Sequence, residues 1–402
     1  MGPQVLVAEA VVAGVRVRRF LQQASLLAVL GSALALRALR LGSAELRGDE
    51  AFGYFFSLRS FADIVRATLD LQEPHPVASY FVQKVWLAWA GDSEFALRFV
   101  SVCSGVLAVA LLYRLGRQIG LSQAMAIPAA GLLALSPYAI WHSQDARMYT
   151  MSLALTMAST SIALEWMRRW HWSNALAYLL VSWLALHTHY YAAFVLLAQN
   201  AFVLGQVLLQ GGRGRRWRSW FAIQALLALG YAPWLWQAGH VLSGYEGTGE
   251  SPGLIQMVCR SLSAFAVGET VPMGQRSSFA LLAALLMLLG VIRLARGDSQ
   301  QQQGLGLLLL SSYPTGYDLA CGDPAAHFQR ALFGHRLSAF FPAACGWPFS
   351  PHACGSPAKL LCLCAEDSLL AGGLDILAGC VAGCVVGQHV DVPPAPLHGA
   401  RL

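Results

Sequence analysis

Long apolar runs recur along this chain, and they restrict its fold more than any other feature. A membrane-spanning helix needs about 20 apolar residues, and eight runs approach that length when their flanking residues are included. Only 12% of the residues are charged and 56% are hydrophobic, whereas about a quarter are charged in an average soluble protein. The sequence therefore predicts an all-α polytopic membrane protein. The predicted spans are Phe20–Leu39, Phe99–Tyr113, Met125–Trp141, Thr150–Trp166, Ala175–Leu186, Tyr191–Leu209, Trp220–Trp236 and Phe279–Ile292.

The connections between these runs alternate in charge. Every second connection is rich in arginine, and the positive-inside rule places such connections, with the N-terminus, in the cytoplasm. The net charge of +6 is therefore a topology signal, and no run of basic residues interleaved with aromatics indicates a nucleic-acid partner. The remaining connections are predicted to face outward: Leu41–Leu97, Trp141–Tyr149, His187–Tyr190 and Gln237–Ser278.

The first outward connection contains the stretch RGDEAFGYF, with Asp49 next to Glu50. Adjacent carboxylates near an apolar surface can have raised or split pKa values, which suits a general base. The alternative is a solvated loop, or a helix N-terminus where acidic residues are favoured by the helix dipole. The dipeptide alone does not decide between them.

The same connection continues with His75 between Pro74 and Pro76, followed by a segment rich in aromatic residues. The prolines predict an extended turn around the histidine. The following segment predicts an amphipathic helix at the membrane interface, where tryptophan is favoured. His75 is a candidate substrate contact, and the alternative is that it only caps the turn.

The stretch SQDARMY lies between two apolar runs and contains Asp145, Arg147 and Tyr149. Arginine can bind a phosphate with two donors, and Asp145 could orient that arginine or contact a sugar hydroxyl. The alternative is a helix N-cap at Ser143, with Asp145 in the first turn and Arg147 extending to the interface. Both interpretations stay open at this point.

His187 and His189 are two residues apart and are followed by Tyr190 and Tyr191. A His-x-His pair can ligate a metal. No third ligand has convincing spacing, so no metal site is predicted, and a requirement for a divalent ion stays open. The tyrosines are typical of a membrane interface.

Taken in order, these elements resemble the polytopic GT-C glycosyltransferases, and most of all glycosyltransferase family 39 with its protein O-mannosyltransferase and aminoarabinose transferase relatives. The resemblance covers about residues 36–194. It rests on Asp49–Glu50, the His75–Pro76 element, the segment from Glu94 to Arg98, the ARMY stretch ending at Tyr149, and the THY stretch ending at Tyr190. Many members have His-Pro-Pro where this chain has His75, Pro76 and Val77, so this loop differs from theirs.

The resemblance implies a GT-C-like helix bundle with interfacial helices in the first outer loop. It also implies transfer of a sugar from a polyprenyl-phosphate donor to a lipid, protein or glycan acceptor, on the outer face of a bacterial plasma membrane. Asp49 would be the general base and Glu50 its support. Arg147 would neutralise the donor phosphate as the bond breaks. The remaining expected substrate contacts are His75, Asp145, Tyr149 and His189.

The character of the chain changes after about Gly304. Seven of the nine cysteines lie in the last 82 residues, without C-x-x-C spacing, and the alternation of spans with arginine-rich loops fades. Residues 1–304 are therefore predicted to be the transmembrane core. We interpret 305–402 as the product of a shifted reading frame, because codons compatible with the stretch from Asp323 can be read one base later as a loop and an apolar helix. The alternative is a divergent tail.

Other functions are compatible with many spans and an interfacial arginine. A transporter or flippase for lipid-linked sugars would more often show internal repeats, broken helices and charges near the midplane. A non-enzymatic scaffold would carry the outward carboxylates and histidines incidentally. An inactive truncated homologue would follow if later helices are missing.

Overall fold

The computed structural model describes residues 3–70, 73, 75–210, 215–244, 259, 262–264, 267–268, 273–297, 301–302, 304 and 306. All of them lie in one compact unit, Met1–Phe341. Within these residues the regular structure is entirely helical, with no strand, as predicted. The predicted boundary at residue 304 and the reading-frame interpretation of the tail concern residues almost wholly outside those described, and both stay predictions.

The first helix is long, three short helices follow it, and most of the later helices are long. Their bounds are α1 Pro3–Ala38, α2 Gly48–Leu58, α3 Phe61–Leu69, α4 Ala78–Ala90, α5 Glu94–Gln118, α6 Gln123–Leu135, α7 Pro137–Ser143, α8 Tyr149–Arg169, α9 Trp172–Thr188, α10 Ala192–Gln210, α11 Arg215–Gly244 and α12 Met273–Ala295.

Three helical segments in the described part of the chain are long and apolar enough to cross a membrane: Arg16–Ala38, Glu94–Gln118 and Ser277–Ala295. The bent pair α6 and α7 makes a fourth if it is one span. These helices fit a multi-pass integral membrane protein. The other four predicted spans also lie in helices, α8 to α11, but those helices do not meet the same test of length and hydropathy, so the total of eight spans stays a prediction.

The predicted span Met125–Trp141 is not one straight helix. Helix α6 ends at Leu135 and α7 begins at Pro137, with a bend of 59° between them. Proline lacks an N–H group and disfavours helical geometry in the residue before it, and Ser136 accordingly has an extended conformation (φ −60°, ψ 118°). The Ser136 hydroxyl accepts a hydrogen bond from the Ala139 N–H and so caps α7.

The first of the connections predicted to face outward folds into the short helices α2, α3 and α4. The segment predicted to form a helix after His75 does so in α4, and its interfacial position stays a prediction. Aromatic rings join the three helices: the Phe56 and Tyr80 centroids are 4.8 Å apart and those of Phe61 and Phe81 are 4.9 Å apart. The Trp86 indole donates to the Ala96 carbonyl and fixes α4 to the start of α5. This packing places α2 and α4 beside the start of α5.

Arg37, at the end of α1, is fully buried and joins three helices. Its guanidinium donates to the carbonyls of Leu133 and Ala134 and to the Ser143 hydroxyl. The two carbonyls belong to the last turn of α6, where a helix leaves its carbonyls without internal partners. Gln144 returns the interaction, because its amide donates to carbonyls at the end of α1, including Leu39 at 3.0 Å. The segment after α7 is therefore fixed to α1.

A buried polar network crosses α8, α9, α10 and α11. Polar side chains that hydrogen-bond across apolar helices hold such helices together. Gln199 is its centre: it accepts from the Tyr178 hydroxyl at 2.8 Å and donates to Thr160 at 3.0 Å. The other contacts are Ser159–Ser182, Gln224–Tyr178, Asn200–Gln224 and Trp220–Asn200. The network supports the bundle that carries the loops at its end.

Candidate functional site

Four separate stretches of the chain meet at one end of these helices. They are residues 47–50, 73–80, 145–149 and 187–191. All of the predicted site residues lie on them, and contacts connect one to the next. We call this set the ionisable cluster; its members are Arg47, Asp49, Glu50, Glu73, His75, Asp145, Arg147, Tyr149 and His189.

Asp49 and Glu50 lie in the first turn of α2 and have opposite environments. The Asp49 side chain is 50% exposed, whereas that of Glu50 is 1% exposed. Side chains of adjacent residues on a helix point to different faces, so Asp49 and Glu50 need not share the same surroundings. The dipeptide therefore combines an accessible carboxylate with a buried one.

Glu50 is held by four hydrogen bonds. The Arg98 guanidinium donates to both of its carboxylate oxygens at 2.8 Å, and the backbone N–H groups of Arg47 and Ala146 donate at 3.0 Å each. Burial raises the pKa of Glu50, but the bonds from Arg98 and the two N–H groups outweigh it, and the pKa lies below its usual value. A lowered pKa does not suit Glu50 to act as a general base. Glu50 instead joins the first loop to the segment containing Arg147.

Asp145 contacts Arg47, not Arg147. The Arg47 Nη2 atom lies 2.7 Å from the Asp145 carboxylate. Burial raises the pKa of Asp145 to about 6, against the attraction of Arg47, which lowers it. The prediction that Asp145 orients Arg147 therefore named the wrong arginine.

The alternative of an N-cap at Ser143 is also wrong. Ser143 is the last residue of α7, and α8 begins only at Tyr149. Asp145 and Arg147 lie in the loop between the two helices. This loop is fixed at both ends, by Gln144 on α1 and by Glu50 on the Ala146 N–H.

Arg147 is nearly buried, with its side chain 9% exposed, so it does not extend to the surface. Its closest carboxylate is Asp49, 3.9 Å from Nε, and its Nη1 donates to the Asp49 carbonyl at 3.5 Å. The Nε atom makes no hydrogen bond to the described residues. Burial lowers the pKa of Arg147, but Tyr80, Tyr149 and Glu73 favour its charge, and the pKa is raised. Arg147 is a buried, permanent cation with spare donor capacity.

His75 and His189 lie near each other, and Arg147 is close enough to His189 to affect its pKa. Their ring centroids are 5.9 Å apart, and the Tyr149 ring is 6.1 Å from that of His189. The His75 Nδ1 atom contacts the buried Glu73 carboxylate. His189 Nδ1 accepts from the Tyr191 N–H at 3.2 Å, and burial, with His75 and Arg147, lowers the pKa of His189 to about 3. His189 is therefore neutral at physiological pH. No group of three metal-ligating side chains occurs among the described residues.

Sequence reasoning did not assign roles to Glu73, Tyr80, Arg47 or Arg98. Glu73 is two residues before His75 and separated from it by a proline, which is the one local signal of their pairing. Burial raises the pKa of Glu73, but His75 and Arg147 outweigh it, and the pKa lies below its usual value. The pairing of Arg98 with Glu50 joins residues 48 positions apart and has no local signal.

Three of the four carboxylates of the cluster have a close basic partner. Glu50 contacts Arg98, Asp145 contacts Arg47, and Glu73 contacts the His75 ring. Asp49 and Arg147 are left facing each other at 3.9 Å, too far for a direct hydrogen bond. Arg47 Nε is also 3.9 Å from Asp49. An accessible carboxylate thus lies beside a buried cation, and neither is engaged at close range by the other.

No family model matches the chain, and a comparison with curated proteins gives no match. The argument for function therefore depends on the geometry of the ionisable cluster and on the helical architecture around it.

Proposed function

We propose that this protein is a membrane glycosyltransferase that moves a sugar from a polyprenyl-phosphate carrier to an acceptor on the outer membrane face. Asp49 is the general base and Arg147 binds the donor phosphate. The observation that carries the proposal is that the half-exposed Asp49 carboxylate lies 3.9 Å from the Nε atom of the nearly buried Arg147 side chain, too far for a direct hydrogen bond between them. A transferase needs an accessible base beside a cation that is already fixed where negative charge develops.

The reaction has a simple balance. The acceptor hydroxyl or amine gives its proton to the Asp49 carboxylate as its oxygen or nitrogen bonds to the anomeric carbon of the sugar. The bond between that carbon and the phosphate oxygen breaks, and the electron pair stays on the departing phosphate. Arg147 stabilises this charge. Because Arg147 is buried and already oriented, little reorganisation accompanies the reaction.

The position of the cluster supports a transferase over a flippase. Its residues lie at helix ends and in the loops between them, and a polyprenyl carrier keeps its phosphate at such a boundary. The same position would face outward under the charge bias of the connections. Asp145, Tyr149, His75 and His189 surround Arg147 and are proposed to contact the sugar or the acceptor. Glu50 is proposed to support Asp49 indirectly, because its bonds to Arg98 and to the Ala146 N–H hold the start of α2 against the loop that contains Arg147.

The test uses the full chain in proteoliposomes with radiolabelled undecaprenyl-phosphate mannose, glucose or aminoarabinose, and a total extract of membrane lipid and protein as acceptor. Asp49→Asn is expected to reduce transfer at least about 100-fold, the usual scale of general-base catalysis, while the protein still inserts and folds. Asp63→Asn is the matched control, because Asp63 is an exposed carboxylate in the same loop that pairs with Arg66. Its transfer rate is expected to stay within twofold.

Two results would reject the proposal. One is full transfer by Asp49→Asn. The other is movement of the labelled lipid between leaflets by the unmodified protein, with no sugar transferred to any acceptor or to water, which is the behaviour of a flippase.

A further inference from the structure

We infer that the cleft beside Arg147 binds the phosphate and the first part of the lipid tail of an amphiphilic phosphate, and that Ser79 and Tyr80 share the phosphate with Arg147. This inference rests on the proposed function for the identity of the ligand. It assigns two further binding residues and an apolar wall to the same site.

The cleft lies between α2, α4, the start of α5 and the loop that precedes α8. Arg147 lies at its wall, and five residues with hydroxyl groups line it: Tyr54, Ser57, Ser79, Tyr80 and Ser101. These hydroxyls fall into two groups. In the first group, Tyr54 donates to the Asp92 carboxylate at 3.2 Å, Ser57 to the Gly53 carbonyl at 2.8 Å and Ser101 to the Arg147 carbonyl at 3.2 Å.

The second group consists of donors without a hydrogen bond. The Ser79 hydroxyl and the Arg147 Nε are buried atoms with no hydrogen-bond partner among the described residues, and the Tyr80 hydroxyl is buried beside the Glu73 carboxylate without a hydrogen bond of normal geometry. Buried polar atoms nearly always have a partner, because leaving one unpaired costs free energy. Three such atoms on one cleft indicate a ligand that accepts hydrogen bonds from all of them.

A phosphate meets this requirement. Its oxygens accept several hydrogen bonds, and arginine binds it more strongly than it binds a neutral acceptor. Two carboxylates act on Arg147, those of Glu73 and Asp49. Glu73 is paired with His75, and Asp49 is 3.9 Å away. A phosphate at Arg147 would therefore replace only the distant interaction with Asp49, and it would leave Asp49 available to the acceptor.

Part of the cleft lining is apolar. It consists of Leu97 and Val100 from α5, Met148 from the loop before α8, and Met151 from the first turn of α8. A free inorganic phosphate has no apolar surface to bury against these side chains. The first isoprene unit of a polyprenyl chain does have such a surface, and burying it is favourable. The cleft thus combines two surfaces that match the two ends of a lipid phosphate.

The experiment measures equilibrium binding of radiolabelled undecaprenyl phosphate, without sugar, to the full chain in nanodiscs. Ser79→Ala and Tyr80→Phe are each expected to weaken binding about tenfold, the scale of one hydrogen bond to a charged group. Ser57→Ala and Tyr54→Phe are the matched controls, because their hydroxyls line the same cleft but already donate to Gly53 and Asp92. Each control is expected to bind within twofold of the unmodified protein.

Competitors identify the chemistry of the ligand. Unlabelled undecaprenyl phosphate should displace the label, whereas inorganic phosphate and undecaprenol should each fail at a 100-fold higher concentration. The inference is overturned if Ser79→Ala and Tyr80→Phe bind as tightly as their controls. It is also overturned if inorganic phosphate competes as well as the lipid.

These results are separable from the proposed function. Binding is measured without acceptor or transfer, and Asp49→Asn is expected to keep it. Loss of transfer with Ser79-dependent binding intact would reject the transferase and retain the cleft. If transfer depends on Asp49 but lipid binding does not depend on Ser79 or Tyr80, the transferase proposal is retained and the inference about the cleft is rejected.

Discussion

The Arg147 guanidinium and the Asp49 carboxylate face each other at 3.9 Å, while the carboxylates of Glu50 and Asp145 have other arginines as partners and that of Glu73 contacts the His75 ring. The two residues are 98 positions apart and come from different connections between the apolar runs. Arg147 is buried and Asp49 is half exposed, so the charge of the arginine is weakly screened and the carboxylate stays accessible. This arrangement separates residues that hold the site from residues that are available for chemistry.

The first prediction uses this separation. Glu50→Gln removes one partner of a buried ion pair and leaves Arg98 without its carboxylate. Losses of about 3–5 kcal/mol are typical for such a change, so the variant is expected to unfold at a clearly lower temperature. Asp49→Asn, one residue away, alters a half-exposed side chain and should shift the unfolding temperature little. Thermal unfolding in detergent, followed by size-exclusion fluorescence, compares the two.

Equal thermal stability of the two variants would contradict the role of Glu50 as a structural residue. Arg98→Met is the complementary test, since it leaves Glu50 buried and unpaired. The double variant Glu50→Gln with Arg98→Met keeps similar side-chain volumes but has neither charge. It should be more stable than either single variant, because no uncompensated buried charge remains.

The second prediction concerns pH and Asp145. Its pKa is raised from 3.8 in the unfolded chain to about 6 in the folded protein. A carboxyl group with a raised pKa favours the folded state fully below its unfolded pKa, and this contribution is lost as the pH rises through about 6. A shift of two pKa units corresponds to roughly 3 kcal/mol.

Asp145→Asn lacks this titration. The variant is therefore expected to be more stable than the unmodified protein at pH 7, and the difference should shrink as the pH falls from 6 to 4. Taking the difference between the two proteins at each pH cancels the opposite contribution of Glu50, whose pKa is lowered. Asp63→Asn is the control with an exposed carboxylate. A stability difference that does not change between pH 4 and pH 7 would show that burial does not govern Asp145.

Much of this arrangement could be predicted from the alternation of charge along the chain. The outward connections were expected to share one face, and residues from three of them, such as Asp49, Arg147 and His189, do lie in one cluster. Helices after His75 were also expected. These inferences depend on periodicity and on flanking charge, which are local properties of the sequence.

The pairing within the cluster could not be predicted, because it depends on tertiary distances. Arg47, Arg98 and Arg147 are equally plausible partners for Asp145 in the sequence, and only the fold selects Arg47. The bend between α6 and α7 did have a signal, since Pro137 follows Ser136 inside an apolar run. Hydropathy alone does not reveal this bend, because a single proline changes the mean hydropathy of an apolar run very little.

The third prediction concerns the polar network of α8 to α11. Gln199→Leu removes the acceptor of the Tyr178 hydroxyl and the donor to Thr160. Interhelical hydrogen bonds of this kind contribute about 1 kcal/mol each, so a measurable loss of stability is expected. Tyr178→Phe should also cost stability, because it removes the bond to Gln199 and the bond that the Gln224 amide donates to the Tyr178 hydroxyl. The double variant should cost less than the sum of the two, since the residues share an interaction. Additive losses would mean that they act independently.

The last prediction tests the contact that fixes the loop of Arg147. Gly105 on α5 faces Ser143 and Arg37, and a Cβ atom there would lie 2.2 Å from the Ser143 Oγ and 2.9 Å from the Arg37 Nε. Gly105→Ala must therefore push Ser143 at the end of α7 away from α5, or displace Arg37 from the carbonyls to which it donates. Overpacking of this size typically costs about 1–3 kcal/mol.

Two readouts distinguish displacement of the loop from general instability. Because Gln144 and Ser143 hold the start of that loop, Gly105→Ala should weaken undecaprenyl phosphate binding even at temperatures where the protein is fully folded. Adding Ser143→Ala removes the closest contact and should recover part of both stability and binding. Gly131→Ala is the control, since its Cβ would meet only Val29 at 3.9 Å. Gly105→Ala and Gly131→Ala could prove equal in lipid affinity and in unfolding temperature. That result would mean that the contact of Gly105 with Ser143 and Arg37 does not position Arg147, and that Glu50 alone positions the loop.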